Sequence, residues 1–309
     1  MLIQDARKRR KTELSWNHTV DRSLVHRDSI AEVLLTDIVR TGRSSFEVGA
    51  QWPRSHRVYR PDPAGRHDPM LLLETIRQTG LALSHHAFGV PYEFRSIMHD
   101  IGFQLRPETE PRALNRATNV AIAVTCDNVQ LRAGRLRRMT ITLTMSADDQ
   151  EFAVGTGTLS WLPVRTFQAL RARNRRPVTV PDAPNGALTA ADSPFRTAED
   201  ALLCADEDDL GRRRLLIRLD HPVYFDHPLD HVPGMMLVDA VWQAASTAGP
   251  PGSRLVMCRM ECPTFTELIA ETWIEVAFTG PDSVQFRVEQ DGAPTAIGIM
   301  KLSVSIPPA

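Results

Sequence analysis

Cysteine is scarce in this chain. The four residues Cys126, Cys204, Cys258 and Cys262 include no CxxC pair, which argues against a zinc ribbon and a disulfide scaffold and reads as reduced thiols in a cytoplasmic protein. Charge of one sign is missing as well. The formal net charge is -1, so no global field draws the chain to nucleic acid. No apolar run reaches the ~20 residues of a membrane span, and none follows the basic N-terminus as it would in a secretory signal. GxGxxG, P-loop, GxSxG and HExxH motifs are absent, which removes the common nucleotide-binding, serine-hydrolase and zinc-protease chemistries. No metal and no cofactor is expected.

What is present is a soluble composition, 42% hydrophobic and 24% charged, over 309 residues, enough for two domains. Arginine is clustered. Arg7, Lys8, Arg9, Arg10 and Lys11 open the chain. Arg132, Arg135, Arg137 and Arg138 form a second group, and Arg165, Arg171, Arg173, Arg175 and Arg176 a third. The plain reading is a loose tail and solvated surface. The functional reading is a docking surface for an acidic or phosphorylated partner.

The chain contains one helix-like segment twice. Met-Leu-Leu-Leu-Glu-Thr-Ile-Arg-Gln-Thr-Gly at 70–80 matches Met-Met-Leu-Val-Asp-Ala-Val-Trp-Gln-Ala-Ala at 235–245 at a constant offset of 165. Met70/Met235, Leu72/Leu237 and Gln78/Gln243 are identical, and Glu74/Asp239 is like for like. A spacing this long marks a duplicated domain rather than a solenoid. Asp68 is a plausible N-cap with Pro69 at the first helical position, and Gly89 and Pro91 stop the helix near Ala87. Strands are expected at Val33–Thr36, Ser45–Trp52, Phe94–Leu105, Thr118–Cys126, Leu136–Met145 and Glu151–Leu162. After the second copy, which starts at Gly234, they are expected at Arg254–Cys262, Thr272–Thr279, Val284–Gln290 and Thr295–Val304. Leu215–Leu219 is a further strand ahead of that helix. The resulting division is a tail at 1–13, a first repeat at 14–168, a Pro-rich linker at 169–212 and a second repeat at 213–309. One helix cannot cover its own apolar surface, so a curved antiparallel sheet must wrap it. Two copies make an α+β double hot dog.

Glu74 shares a helix face with Met70, Leu71, Arg77, Gln78 and Leu81. Alone, it reads as a surface ion pair with Arg77. The return of the acid and amide as Asp239 and Gln243, with Trp242 in place of the arginine, favours a used carboxylate, because a buried one is costly unless paired or employed. His67, His227 and His231 precede the two helices. Each reads most simply as structural, but His227 and His231 gain weight from Pro233-Gly234. A glycine at a helix start lets a ligand oxygen approach free N–H groups. His85-His86 has no such context and reads as structural.

These residues resemble the A-factor biosynthesis (AfsA-like) family. The resemblance rests on His67-Asp68-Pro69-Met70 through Gly80, Val25-His26-Arg27, Glu32 through Asp37, Phe46 through Arg54, and Asp226-His227-Pro228-Leu229-Asp230-His231-Val232-Pro233-Gly234-Met235. It implies a cytoplasmic synthase of γ-butyrolactone or butenolide signals in actinobacteria. That enzyme moves a β-ketoacyl group from an acyl carrier protein thioester to a hydroxyl of dihydroxyacetone phosphate. The second repeat is also similar to hot-dog acyl dehydratases. On this reading Glu74 or Asp239 is the general base, and Arg77, Gln78, His227, His231, Gly234 and Gln243 contact substrate. The chain departs from the family at Asp239-Ala240-Val241-Trp242-Gln243, where the family reads Glu-Ala-x-Arg-Gln. Arg77 would then carry the phosphate. The alternatives are a dehydratase or thioesterase on carrier-bound thioesters, and a non-catalytic sensor of acyl or lactone ligands.

Overall fold

The computed structural model describes residues 13–174, 197–207 and 212–304. The expected tail up to residue 12 and most of the expected linker fall outside these. Fifteen elements form the frame. The first repeat holds β1 (Leu35–Arg40), β2 (Ser45–Trp52), α1 (Met70–His86), β3 (Arg95–Leu105), β4 (Thr118–Arg132), β5 (Arg135–Ala147) and β6 (Gln150–Leu162), followed by α2 (Val164–Asn174). Then come β7 (Leu203–Glu207), β8 (Arg213–Leu215), α3 (Gly234–Ala248), β9 (Ser253–Glu261), β10 (Trp273–Phe278), β11 (Ser283–Gln290) and β12 (Ala293–Val304). The described strands make one twelve-stranded sheet in the order β1-β2-β4-β5-β6-β3-β9-β12-β11-β10-β8-β7. The halves join where β3 runs antiparallel to β9, from Asp100↔Glu261 to Gln104↔Met257.

The two matched segments are the two sheathed helices. Both are buried nearly all round, which only a sheet curved about them can achieve. In α1 both Glu74 and Gln78 are buried with the leucines, and in α3 Asp239 and Gln243 are. Alternation puts one strand face on the helix. Met139, Ile141, Leu143 and Met145 of β5 are buried and the residues between them are not. The fold is the double hot dog that the duplication demands.

Several local features differ from the sequence-based expectation, among them strand β7, which lies within the stretch expected as linker. Met70, not Pro69, is the first residue of α1, yet the Asp68 side chain still caps it, accepting the Met70 N–H at 2.8 Å. The strand before α3 ends at Leu215. Leu216 still donates to the Leu202 carbonyl at 2.8 Å, but the chain then turns at Asp220-His221-Pro222 and leaves Leu219 exposed. The helix α2 was not foreseen, because its arginines mask its apolar residues. Phe167 and the stem of Arg171 are buried, and the Arg171 guanidinium lies over the Phe265 ring at 4.6 Å.

Candidate active site at the junction of the repeats

The duplication extends beyond the helices, into the loops that set the site. His56-Arg57-Val58-Tyr59 recurs as His221-Pro222-Val223-Tyr224 at the same offset. In each copy the histidine Nδ1 accepts two backbone N–H groups, those of Val58 and Tyr59 at 3.2 and 3.0 Å and those of Val223 and Tyr224 both at 3.3 Å. The helix glutamines are likewise equivalent. Gln78 Oε1 accepts from Leu34 N at 2.9 Å and its Nε2 donates to the Glu32 carbonyl at 2.7 Å. Gln243 Oε1 accepts from Leu202 N at 2.9 Å and its Nε2 donates to the Asp200 carbonyl at 3.2 Å. Both amides are thus bonded to the backbone of the segment entering their own repeat.

The in-helix acids diverge. Glu74 is 2% exposed. It receives Arg27 at 2.8 Å, Arg77 at 2.8 Å on each oxygen, and Gln78 at 2.7 Å. Burial pushes its carboxyl up, but the Arg27 and Arg77 guanidinium groups outweigh that and hold it at about 2. A carboxylate so weakly basic and so fully bonded is poorly suited to take a proton. Asp239 accepts from the Tyr224 hydroxyl. Both acids stand behind the residues that line the nearby cavity: Arg27 and Arg77 in one case, Tyr224 in the other.

That cavity, about 150 Å³, is composite. His26, Arg27, Arg77 and Met98 come from the first repeat, and Tyr224, His227, His231 and Gly234 from the second. It shares His26, Ser96, His227 and His231 with a larger cleft of about 600 Å³. It shares Met98, His231 and Gly234 with a third space of about 230 Å³, reaching Leu170, Leu237 and Phe265. Arg27 ties the halves together. It bonds Glu74, donates to the Val223 carbonyl at 2.7 Å and lies 3.4 Å from Asp226.

Two Asp–His pairs face this space. Asp226 Oδ1 lies 2.6 Å from His227 Nδ1, and Asp230 Oδ1 lies 2.7 Å from His231 Nδ1. Burial would raise Asp226, but the His227 hydrogen bond and Arg27 keep it below the usual carboxylate range. The His231 hydrogen bond brings Asp230 to about 2 despite burial. An anion on Nδ1 fixes the Nδ1–H tautomer and leaves Nε2 as the basic nitrogen. The α3 start is open. Pro233 provides no side-chain cap, and neither Gly234 N–H nor Met235 N–H has a hydrogen-bond partner among the described residues. A Cβ at Gly234 would collide with the Met98 methyl.

His26 and Arg27 were not singled out from the sequence as site residues. His26 adopts φ 52°, a left-handed conformation costly for a side chain bearing Cβ. Its Nε2 lies 2.8 Å from His85 Nε2, while His85 Nδ1 lies 2.7 Å from the Val90 carbonyl. A carbonyl only accepts, so His85 carries its proton on Nδ1 and must accept at Nε2 from His26. His26 therefore keeps Nδ1 bare. Burial, then His85 and Arg77, push its pKa down to about 3, so it stays neutral. The signal for it was the Val25-His26-Arg27 triplet, whose partners lie far along the chain.

The equivalent position in the other half is filled. The N-terminus of α1 is capped by Asp68, and Arg254 at the start of β9 is 2% exposed, donates to the His67 carbonyl at 3.3 Å and is paired with Glu110. His67 is buried at 1% exposure, bonded to Thr118 at 2.8 Å, and pushed down to about 4 by burial and Arg254. Among the described residues no group of three His, Cys, Asp or Glu is placed to hold a metal ion, and no helix is long and apolar enough to cross a membrane.

The model of the A-factor biosynthesis hot-dog domain matches residues 10–164 and 197–304. The chain belongs to the A-factor biosynthesis hot-dog family. Relatives in this family include a 2-oxo-3-(phosphooxy)propyl 3-oxoalkanoate synthase of Streptomyces virginiae, 37% identical over 83% of this chain and 86% of the relative. Another, of the same name, comes from Streptomyces griseus, 27% identical over 89% of this chain and 92% of the relative. Solved structures confirm the fold beyond the family. An acyl-ACP thioesterase from Bacteroides thetaiotaomicron superposes with a TM-score of 0.51 at 10% identity, covering 83% of this chain and 98% of its own. A 12:0-ACP thioesterase from Umbellularia californica does so with 0.51 at 11%, covering 86% and 99%.

Proposed function

We propose that this chain is a cytoplasmic acyltransferase that makes the ester for which its relatives are named. A β-ketoacyl group passes from the thioester of an acyl carrier protein to the hydroxyl of dihydroxyacetone phosphate. The observation that carries the mechanism is the meeting, in one composite cavity, of an Asp-oriented histidine, two unpartnered helix-start N–H groups and Arg77. The acceptor hydroxyl oxygen attacks the thioester carbonyl carbon as His227 Nε2 takes the hydroxyl proton. The carbonyl oxygen gathers negative charge against the N–H groups of Gly234 and Met235, under the positive end of the α3 dipole. The tetrahedral centre then expels the thiolate, the C–S bond breaks, and the proton on His227 passes to sulfur. The products are the ester and the free carrier thiol. Arg77, with Nη1 unpartnered among the described residues, meets the acceptor phosphate. His26 adds a neutral acceptor to the same wall. Cysteines not joined in disulfides, three of them buried, suit a reducing compartment.

The acids take a supporting part in this scheme. Glu74 fixes Arg27 and Arg77, and Asp239 fixes Tyr224. Gln78 and Gln243 pin the backbone of the segment entering each repeat, and His231 borders the acyl side of the cavity. The test is product analysis by mass spectrometry after mixing a β-ketoacyl carrier thioester with dihydroxyacetone phosphate. The ester is expected. Free β-keto acid alone would mean a thioesterase, dehydrated thioester a dehydratase, and unchanged thioester with measurable binding a sensor.

A further inference from the structure

The sheet brings two arginine clusters separated in the sequence near each other, beside a cleft that Arg95 and Arg171 line. Arg138 of β5 pairs with Ser160 of β6, so the start of β5 runs beside the end of β6 and the turn into α2. Arg137 donates to the Trp161 carbonyl at 3.4 Å and sits over the Phe94 ring at 5.5 Å. Arg95 flanks β6 from the other side, opposite Leu162. Arg165 stands on the first turn of α2, and Phe94, Arg95, Val164, Phe167 and Gln168 line the ≈600 Å³ cleft that leads to His26 and His227. Arg95, Arg135 and Arg165 are exposed and Arg138 is half-buried. None of the four has a carboxylate partner among the described residues. Residues 152–174 carry no acid at all. Of the acids on the opposite rim, Asp230 and Glu267 are already held by Arg171.

We propose that Arg95, Arg135, Arg138 and Arg165 form a docking rim for an acidic carrier protein, which seats its surface there and threads the thioester arm through the cleft. This rests on the acyl-transfer reading above. A donor tethered to a protein cannot bring its thioester to His227 without placing that protein on the rim of the opening. A rim of unpaired arginines selects a surface of opposite charge and speeds its encounter.

The test compares donors that share the acyl group and differ in what carries it: a bacterial acyl carrier protein, N-acetylcysteamine and coenzyme A. In the double variant Arg135→Glu/Arg138→Glu, and separately in Arg165→Glu, kcat/KM for the carrier-bound donor should fall roughly tenfold or more. The value for the N-acetylcysteamine thioester should stay within about twofold, and the melting temperature should be retained. Equal losses with both donors, or no loss with either, would overturn the rim. A coenzyme A thioester weakened as much as the carrier would also overturn it, because the rim would then read a nucleotide phosphate. Titration of the carrier protein onto wild type and variants separates the two readings. If wild type binds the carrier and the variants do not, while no donor yields ester, docking stands and acyl transfer falls. If neither binds while the small thioester still yields ester, the rim falls alone.

Discussion

At the scale of single residues, a buried anion orients a reactive group in one place and is locked away in another. Asp226 holds His227 by Nδ1. Asp226→Asn should therefore lower kcat while leaving the acceptor KM nearly unchanged, and His227→Ala should cost roughly 10²- to 10⁴-fold in kcat. Rapid-quench measurement of ester formation checks both, and wild-type kcat in His227→Ala would remove it as the base. Glu74 is held at about 2 by Arg27 and Arg77. Removing its charge leaves Arg77 without its carboxylate partner and the buried Arg27 with Asp226 alone, so Glu74→Gln should destabilise the fold by ~3 kcal/mol, read as a lower denaturant midpoint. Arg77→Ala is expected to raise the KM for dihydroxyacetone phosphate by about tenfold to a hundredfold, the value of one charge-assisted contact of ~1.5–3 kcal/mol. Dihydroxyacetone without the phosphate should be insensitive to it, and an undiminished preference for the phosphate in Arg77→Ala would rule out this role.

At the scale of elements, the repeated glutamine does the same work twice. Gln243 receives the buried Leu202 N–H as Gln78 receives that of Leu34. Gln243→Leu should then cost ~1–3 kcal/mol by orphaning that donor, and hydrogen exchange at Leu202 should quicken more than elsewhere in the sheet. The duplication made both helices and the strand series after each of them legible, because apolar periodicity and an in-register acid and amide survive in one-dimensional form. The partners of those side chains did not. Glutamine bonds to backbone atoms, which every residue carries, so nothing in the sequence marks Leu34 or Leu202. Arg27 was hidden for a related reason: its contact with Val223 spans 196 residues. Leu203–Glu207 and α2 lay in a stretch whose arginines, alanines and prolines conceal a few well-placed apolar residues.

At the scale of the whole molecule, acid should weaken the fold before it touches most carboxylates. His67 is buried and sits at about 4, against an ordinary value of 6.5. Between those two values the unfolded chain takes up a proton that the folded chain refuses. Stability should therefore fall as pH drops from 6.5 toward 4, by up to ~1.4 kcal/mol per pH unit. His67→Gln should reduce that slope in urea titrations at stepped pH, leaving the share that His26, held at about 3, contributes over the same range, and an unchanged slope would place the acid sensitivity elsewhere. The closed half around His67 and Arg254 also fixes how many products one chain can hold. Two identical hot-dog subunits would offer two equivalent seats related by their symmetry. In one chain the two halves need not match, and at the α1 end Arg254 is buried and bound to Glu110. A calorimetric titration with a non-hydrolysable ether analogue of the ester should accordingly reach saturation at a stoichiometry of one per polypeptide, with a single class of heats and no cooperativity between the halves.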